Sequence, residues 1–190
     1  MKKIFILLGH PDTGTMSDEF ATAYEQTAKA AGHEVRRMNI GELVFDPVLH
    51  KGYRAIQELE PDLKTIQENM RWCEHFVFVY PVWWSATPAL VKGMFDRMWL
   101  PGFAFKFHAD KRGWDRLLKG RTARVIALSK MNPWAIRLLF GDHTNEISHA
   151  TLGFSGLKVS MTEIGNAEKL SEKEKESWMK RVRALARAGK

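Results

Sequence analysis

The apolar run at residues 76–80, rich in β-branched and aromatic side chains, predicts a strand buried on both faces. The apolar run at residues 4–8 predicts another buried strand, and residues 122–129 a further strand. Residues 33–40 alternate more moderately and predict another strand, as do residues 158–164. Between these runs the spacing becomes helical. Phe20, Ala21, Tyr24 and Ala28 mark the inner face of a helix over residues 17–31, with Gly32 as its stop. Residues 61–72 predict a second helix and residues 145–154 a further one. Pro81 is expected to end the strand before it, because it has no N–H to donate. Pro88 suits the first turn of a helix continued by Leu90, Val91, Met94, Phe95 and Met98. Ser171 and Glu174 form a capping box that opens a last helix, with Trp178, Val182 and Leu185 inside. Strands that alternate with helices predict a doubly wound α/β sandwich of three layers, one domain over residues 1–190.

Two stretches resist the pattern. Residues 41–54 contain Phe45-Asp46-Pro47, and residues 101–114 carry three phenylalanines and two glycines. Long irregular stretches of this kind are usually functional or lie at an interface, so a homodimer is expected.

The 190 residues are 45% hydrophobic and 27% charged, as in a globular domain with a full core. The longest apolar runs fall far short of the roughly 18 residues needed to span a bilayer. Residues 1–9 read as a core strand rather than a leader, since the run is short and ends in Gly9-His10-Pro11. The single cysteine, Cys73, rules out an internal disulfide and fits a reducing, cytoplasmic setting, where it reads as a small buried hydrophobe. A formal charge of +7 raises the question of nucleic acid. The basic residues are dispersed in pairs such as Arg36-Arg37 and Lys111-Arg112, with no nucleic-acid motif. A basic surface also attracts phosphorylated cofactors.

In an open α/β sheet of order 2-1-3-4-5, ligands bind at the carboxyl ends of the first and third strands, where the winding reverses. The loops meeting there are residues 10–17 and 81–87. The first combines a helix N-terminus with Thr13, Gly14, Thr15 and Ser17, which is either a phosphate cradle or an ordinary N-cap. It has neither G-x-G-x-x-G nor a Walker lysine. The second offers Trp83, Trp84, Ser85 and Thr87. Those tryptophans either stack on a flat ligand or belong to the core, with Trp83 the expected core member.

The run Pro81-x-Trp83-Trp84-Ser85-x-x-Pro88-Ala89-x-x-Lys92-Gly93-x-x-Asp96-Arg97, followed by Gly102-Phe103-Ala104-Phe105, resembles the flavodoxin-like NAD(P)H:quinone oxidoreductase family. Gly9-His10-Pro11 and Phe45-Asp46-Pro47-Val48-Leu49 match its pattern too. So, more loosely, do Met131-x-Pro133-Trp134 and Phe154-x-Gly156. The resemblance implies a five-stranded parallel sheet and a homodimer with each active site at the subunit interface. It further implies a two-electron hydride relay from NAD(P)H through bound FMN or FAD to a quinone. By motif, His10, Thr15, Met16 and Ser17 would hold phosphate, and Pro81, Val82, Trp83, Trp84 and Ser85 the flavin ring. Ser129, Met131 and Asn132 would form a third flavin loop, while Trp84 and Lys130 would serve the chemistry.

The third loop lacks the family's Thr-Thr-Gly-Gly. The Tyr and His that assist hydride transfer in its best-known members have no counterparts beyond His143 and His149, which match by residue type alone. Some relatives are instead regulatory subunits that activate a potassium-efflux transporter, which is the alternative reading. That role would bring the protein to a membrane only through its partner.

Overall fold

The structure is a computed structural model that describes residues 1–110 and 112–190, so Lys111 of the basic pair lies outside the described residues. In chain order its strands are β1 (Lys3–Leu8), β2 (Glu34–Asn39), β3 (His75–Pro81), β4 (Phe105–Phe107), β5 (Trp114–Arg116), β6 (Thr122–Leu128) and β7 (Lys158–Ile164). Its helices are α1 (Met16–Ala30), α2 (Pro61–Trp72), α3 (Ala89–Met98), α4 (Pro133–Phe140) and α5 (Glu172–Ala188).

β3 lies at the centre because its residues 75–80 are apolar or neutral and fully enclosed. It pairs in parallel with β1 on one side and β6 on the other. β2 and β7 complete a parallel sheet of order β2-β1-β3-β6-β7, the predicted 2-1-3-4-5 counted over the five strands of this sheet. Alternation along the strands builds two cores. Phe5, Leu7, Phe76, Phe78 and Tyr80 meet α2 and α3 on one face. Ile4, Ile6, Leu8, Val77 and Val79 meet α1 and α5 on the other. Each fully buried side chain of this size contributes about 1.5–3 kcal/mol, so the five-stranded centre dominates the stability.

Several elements differ from the sequence expectation, each for a physical reason. Pro81 does not end the ladder: it is the last residue of β3, opposite Leu128, and the next N–H, on Val82, donates to the Leu128 carbonyl at 2.7 Å. Pro88 caps α3 from outside rather than occupying its first turn. Residues 101–114 are not wholly irregular, since β4 pairs antiparallel with β5, setting Phe107 opposite Trp114. Residues 146–153 wind as a π-helical segment, Glu146–Gly153.

Helix α4 was not foreseen, because an almost uniformly apolar octapeptide has no period to read. In α5 the capping box is present, but the buried stripe is Met179, Val182 and Ala186. Trp178 stays at the edge of the core, where the Arg181 guanidinium lies 5.1 Å from its ring.

Cys73 is buried, and desolvation pushes its thiol up to about 12, as an inert core residue requires. Buried Arg97 ties the long connection before α2 to α3. It donates to the carbonyls of Asp46 and Glu58 and pairs with Glu60 at 2.9 Å. Among the described residues no helix is long and apolar enough to cross a membrane.

Candidate functional site

A cleft of about 580 Å³ opens at the carboxyl ends of β1, β3 and β6. At the end of β1, Gly9 donates to Val79 O at 2.7 Å, and a Cβ there would fall 2.7 Å from the Phe78 ring. The chain therefore passes against β3 without a side chain and delivers His10 to the cleft. His10 Nδ1 lies 2.9 Å from both the N–H and the carbonyl oxygen of Asp12, which fixes the ring against its own loop. Asp12 in turn takes the Thr13 N–H, and Asp18 takes that of Gly14.

Thr15 caps α1 by accepting the Asp18 N–H. Burial alone would raise the Asp18 carboxyl, but bonds from Arg37 and Gly14 more than reverse this and hold it below its ordinary value. Ionised Asp18 is thus neutralised by Arg37 rather than standing free at the helix end. The N–H groups of Met16 and Ser17 have no partner among the described residues. Unpaired donors at the positive end of a fifteen-residue helix, beside two hydroxyls, suit an anion.

The second wall follows β3. Trp83 and Ala86 exchange both backbone hydrogen bonds at 3.0 Å, closing a tight turn over Trp84 and Ser85. Both central residues are left-handed, with φ of 52° and 59°, the pattern of a type I′ turn. Neither is glycine, which costs about 1–2 kcal/mol per residue. Backbone strain of this kind persists mainly where a site depends on it. The turn leaves Trp84 entirely in solvent at 101% relative exposure and Trp83 at 44%. The expectation that Trp83 belongs to the core is therefore overturned, because the turn projects beyond the sheet edge. Thr87 is buried instead, with its hydroxyl 3.4 Å from Glu146.

The third wall follows β6. Ser129 is buried and fixed by three bonds: its N–H to Ile164, its hydroxyl to Met131 O, and its carbonyl from Ala167. Lys130 pairs at 3.0 Å with Glu168 of the neighbouring loop, with both side chains largely exposed. The N–H groups of Lys130 and Met131 have no partner among the described residues.

The cleft brings together His10, Thr15, Met16, Ser17, Pro81, Val82, Trp83, Trp84, Ser85, Ser129, Lys130 and Met131. Asn132 is not in its lining: its side chain accepts the Trp134 N–H at 3.1 Å and caps α4. His143 and His149 also lie outside it. His143 is buried, which pushes its ring down, and neither of its nitrogens is hydrogen-bonded, although Glu163 lies 3.3 Å away. His149 is exposed and meets the Ser148 hydroxyl.

The residues that sequence reasoning missed are Leu128, Ile136, Phe140, Ala167 and Glu168. Ile136 and Phe140 stand one turn apart on α4, whose start was signalled by Asn132-Pro133 and its stop by Gly141. Ala167 and Glu168 follow the carboxyl end of β7, where the rule that located the other loops also applies. Unpaired N–H groups and hydroxyls at one end and flat apolar walls at the other fit a planar aromatic group carrying a phosphate.

Comparison with known proteins gives the fold its relatives. Human ribosyldihydronicotinamide dehydrogenase [quinone] is 24% identical over 186 residues, covering 91% of this chain and 78% of that protein. The NAD(P)H:quinone oxidoreductase of Methanothermobacter marburgensis superposes with a TM-score of 0.79 at 23% identity, over 98% of both chains. An FMN-dependent NADH-azoreductase from Bacillus anthracis, solved with FMN, gives 0.73 at 20% identity, again over 98% of both. A family model described as flavodoxin-like fold matches residues 2–188, and the chain belongs to that family.

Proposed function

We propose that the protein is a flavin-dependent oxidoreductase that passes two electrons from NAD(P)H to a quinone-type acceptor. One observation carries this reading. Unpartnered N–H groups at the start of α1 share one cleft with an apolar, tryptophan-bearing wall, at the point where the sheet reverses its winding. The name of the Methanothermobacter relative carries the same donor and acceptor, and that of the human relative a ribosyldihydronicotinamide donor with a quinone.

FMN or FAD supplies the hydride chemistry when bound. The chain's own residues bind, orient and polarise. Met16 and Ser17 N–H, the Thr15 and Ser17 hydroxyls and the His10 ring would hold the flavin's phosphate. The turn over residues 83–86 presents Trp84 to whatever lies against the ring. Lys130 and the Met131 N–H would be the donors for negative charge developing on the bound ring, and such preorganised donors count most in a water-poor site. The Lys130–Glu168 pair is exposed and weak, at most about 1 kcal/mol, so the ammonium is free to turn inward.

The reaction balances as one hydride from the nicotinamide and one proton from solvent, giving the hydroquinone. Visible spectroscopy of the purified protein, before and after incubation with FMN and with FAD, tests the reading. Binding of one flavin supports it, and binding of neither overturns it.

A homodimer belongs to the same proposal. Val44, Val48, Tyr53 and Ile56 are exposed on the connection fixed by Arg97, and Phe107 is exposed on β4. An ordered apolar surface of that kind marks an interface.

A further inference from the structure

Helix α4 reads Pro-Trp-Ala-Ile-Arg-Leu-Leu-Phe, and Ile136 is its only buried residue. A helix apolar on every side is normally enclosed. Here Trp134 is 65% exposed, Leu138 74%, Leu139 62% and Phe140 65%. Ile136 and Phe140 also line the cleft, so one apolar surface runs from the cleft interior out over the helix.

We infer that the outer side of α4 is a subsite for the uncharged, flexible apolar tail of the acceptor, whose quinone head enters the cleft. This rests on the oxidoreductase reading and narrows its substrate to tailed, lipid-like quinones.

Charge and size select that occupant. Arg137, the one charged residue of α4, is held by both carboxylate oxygens of Glu163 at 2.7 and 2.8 Å, with Asp142 3.9 Å away. The helix's own charge is thus neutralised in place, which leaves none on its surface to recognise an anionic lipid head or a charged peptide. A stable protein interface needs about 800 Å² per partner from some 20–30 residues. The four exposed side chains of this two-turn helix fall well short of that count by themselves. A neutral hydrocarbon chain matches its apolar side chains and needs no charge to hold it.

The test compares a tail-free benzoquinone with one carrying a decyl chain, on the flavin-loaded parent and on the double variant Leu138→Gln, Leu139→Gln. Both substituted side chains are exposed, so folding is unaffected, and uncharged glutamine leaves the ion pairs intact. Since apolar affinity scales with the area removed from water, the parent should favour the decyl quinone by at least about tenfold in kcat/KM. The variant should lose most of that preference while reducing the tail-free quinone at the parent rate. No preference in the parent, or an equal loss on both quinones, overturns the inference. A changed sedimentation mass in the variant also overturns it, because a second copy would then cover the helix. Calorimetric titration of both quinones separates binding from chemistry. Tail-dependent binding without turnover supports the subsite and defeats the oxidoreductase reading, whereas turnover without tail-dependent binding does the reverse.

Discussion

His10 stands edge-on to Trp83, their ring centroids 5.7 Å apart and their planes at 79°. The contact joins the loop after β1 to the strained turn after β3, so the phosphate end and the aromatic end of the cleft are braced against each other. Aromatic contacts of this geometry add about 0.5–1.5 kcal/mol beyond area burial. Trp83 thereby acquires a role that differs from the core position expected of it. Trp83→Leu should loosen the cofactor more than it lowers the melting temperature, and flavin titrations beside thermal melts measure both.

Trp84 makes the opposite case. Its side chain is fully exposed, so its loss removes no core packing. Trp84→Leu should keep the melting temperature and the bound flavin, yet slow flavin reduction by NAD(P)H at least about tenfold through misplaced substrate. Anaerobic stopped-flow gives the rate, and reduction at the parent rate would remove Trp84 from the active site.

At the phosphate end, Ser17→Ala deletes one hydroxyl, and Thr15→Ala removes both a hydroxyl and the α1 cap. A hydrogen bond to a charged group contributes about 1.5–3 kcal/mol, so flavin affinity should fall roughly ten- to hundredfold per substitution. Thr15→Ala should also cost about 1 kcal/mol of stability through the lost cap. Fluorescence titration and urea unfolding separate the two effects. Undiminished affinity in the double variant would move the phosphate elsewhere.

The pH dependence of stability follows from two enclosed histidines. Burial, then the charges of Lys2, Arg124 and His33, pushes His75 down to about 3, and burial also lowers His143. His75 thus stays neutral in the fold over most of this range and His143 resists protonation, whereas in the unfolded chain both take up protons below their ordinary value. Stability is therefore full above about pH 6.5 and falls as the pH drops towards 3, by up to about 1.4 kcal/mol per pH unit for each proton. Urea unfolding at pH 7 and pH 5 should show the decline, and His75→Asn should flatten it. A parent equally stable at both values would contradict the burial argument.

The homodimer is checked by sedimentation at micromolar concentration, which should give about twice the chain mass of 21.8 kDa. Val48→Glu with Ile56→Glu should shift the protein to monomer, since both side chains lie on the exposed apolar connection. A parent that is monomeric and fully active would end that proposal.

Sequence made the sheet legible because β1, β3 and β6 are nearly continuous apolar runs between glycines, prolines and charges. Its parallel order followed from their alternation with helices. The two principal cleft loops were legible because a helix start and a tryptophan pair fall where strands of such a sheet end. Helix α4 was not legible by period: seven of its eight positions are apolar, and only Asn132, Pro133 and Gly141 announced it. The left-handed backbone of Trp84 and Ser85 was equally hidden, since neither residue type signals a positive φ. The pairing of Lys130 with Glu168 depends on two loops meeting, which spacing along the chain does not encode.

The central claim is that this cleft holds a flavin that NAD(P)H reduces and a quinone reoxidises. Anaerobic mixing of the flavin-loaded protein with NADH or NADPH, followed by a benzoquinone, tests it most directly. The account predicts that the yellow absorbance bleaches on the first addition and returns on the second, with one two-electron equivalent exchanged per bound flavin. A protein that binds no flavin, or whose flavin stays oxidised with both nucleotides, would contradict it.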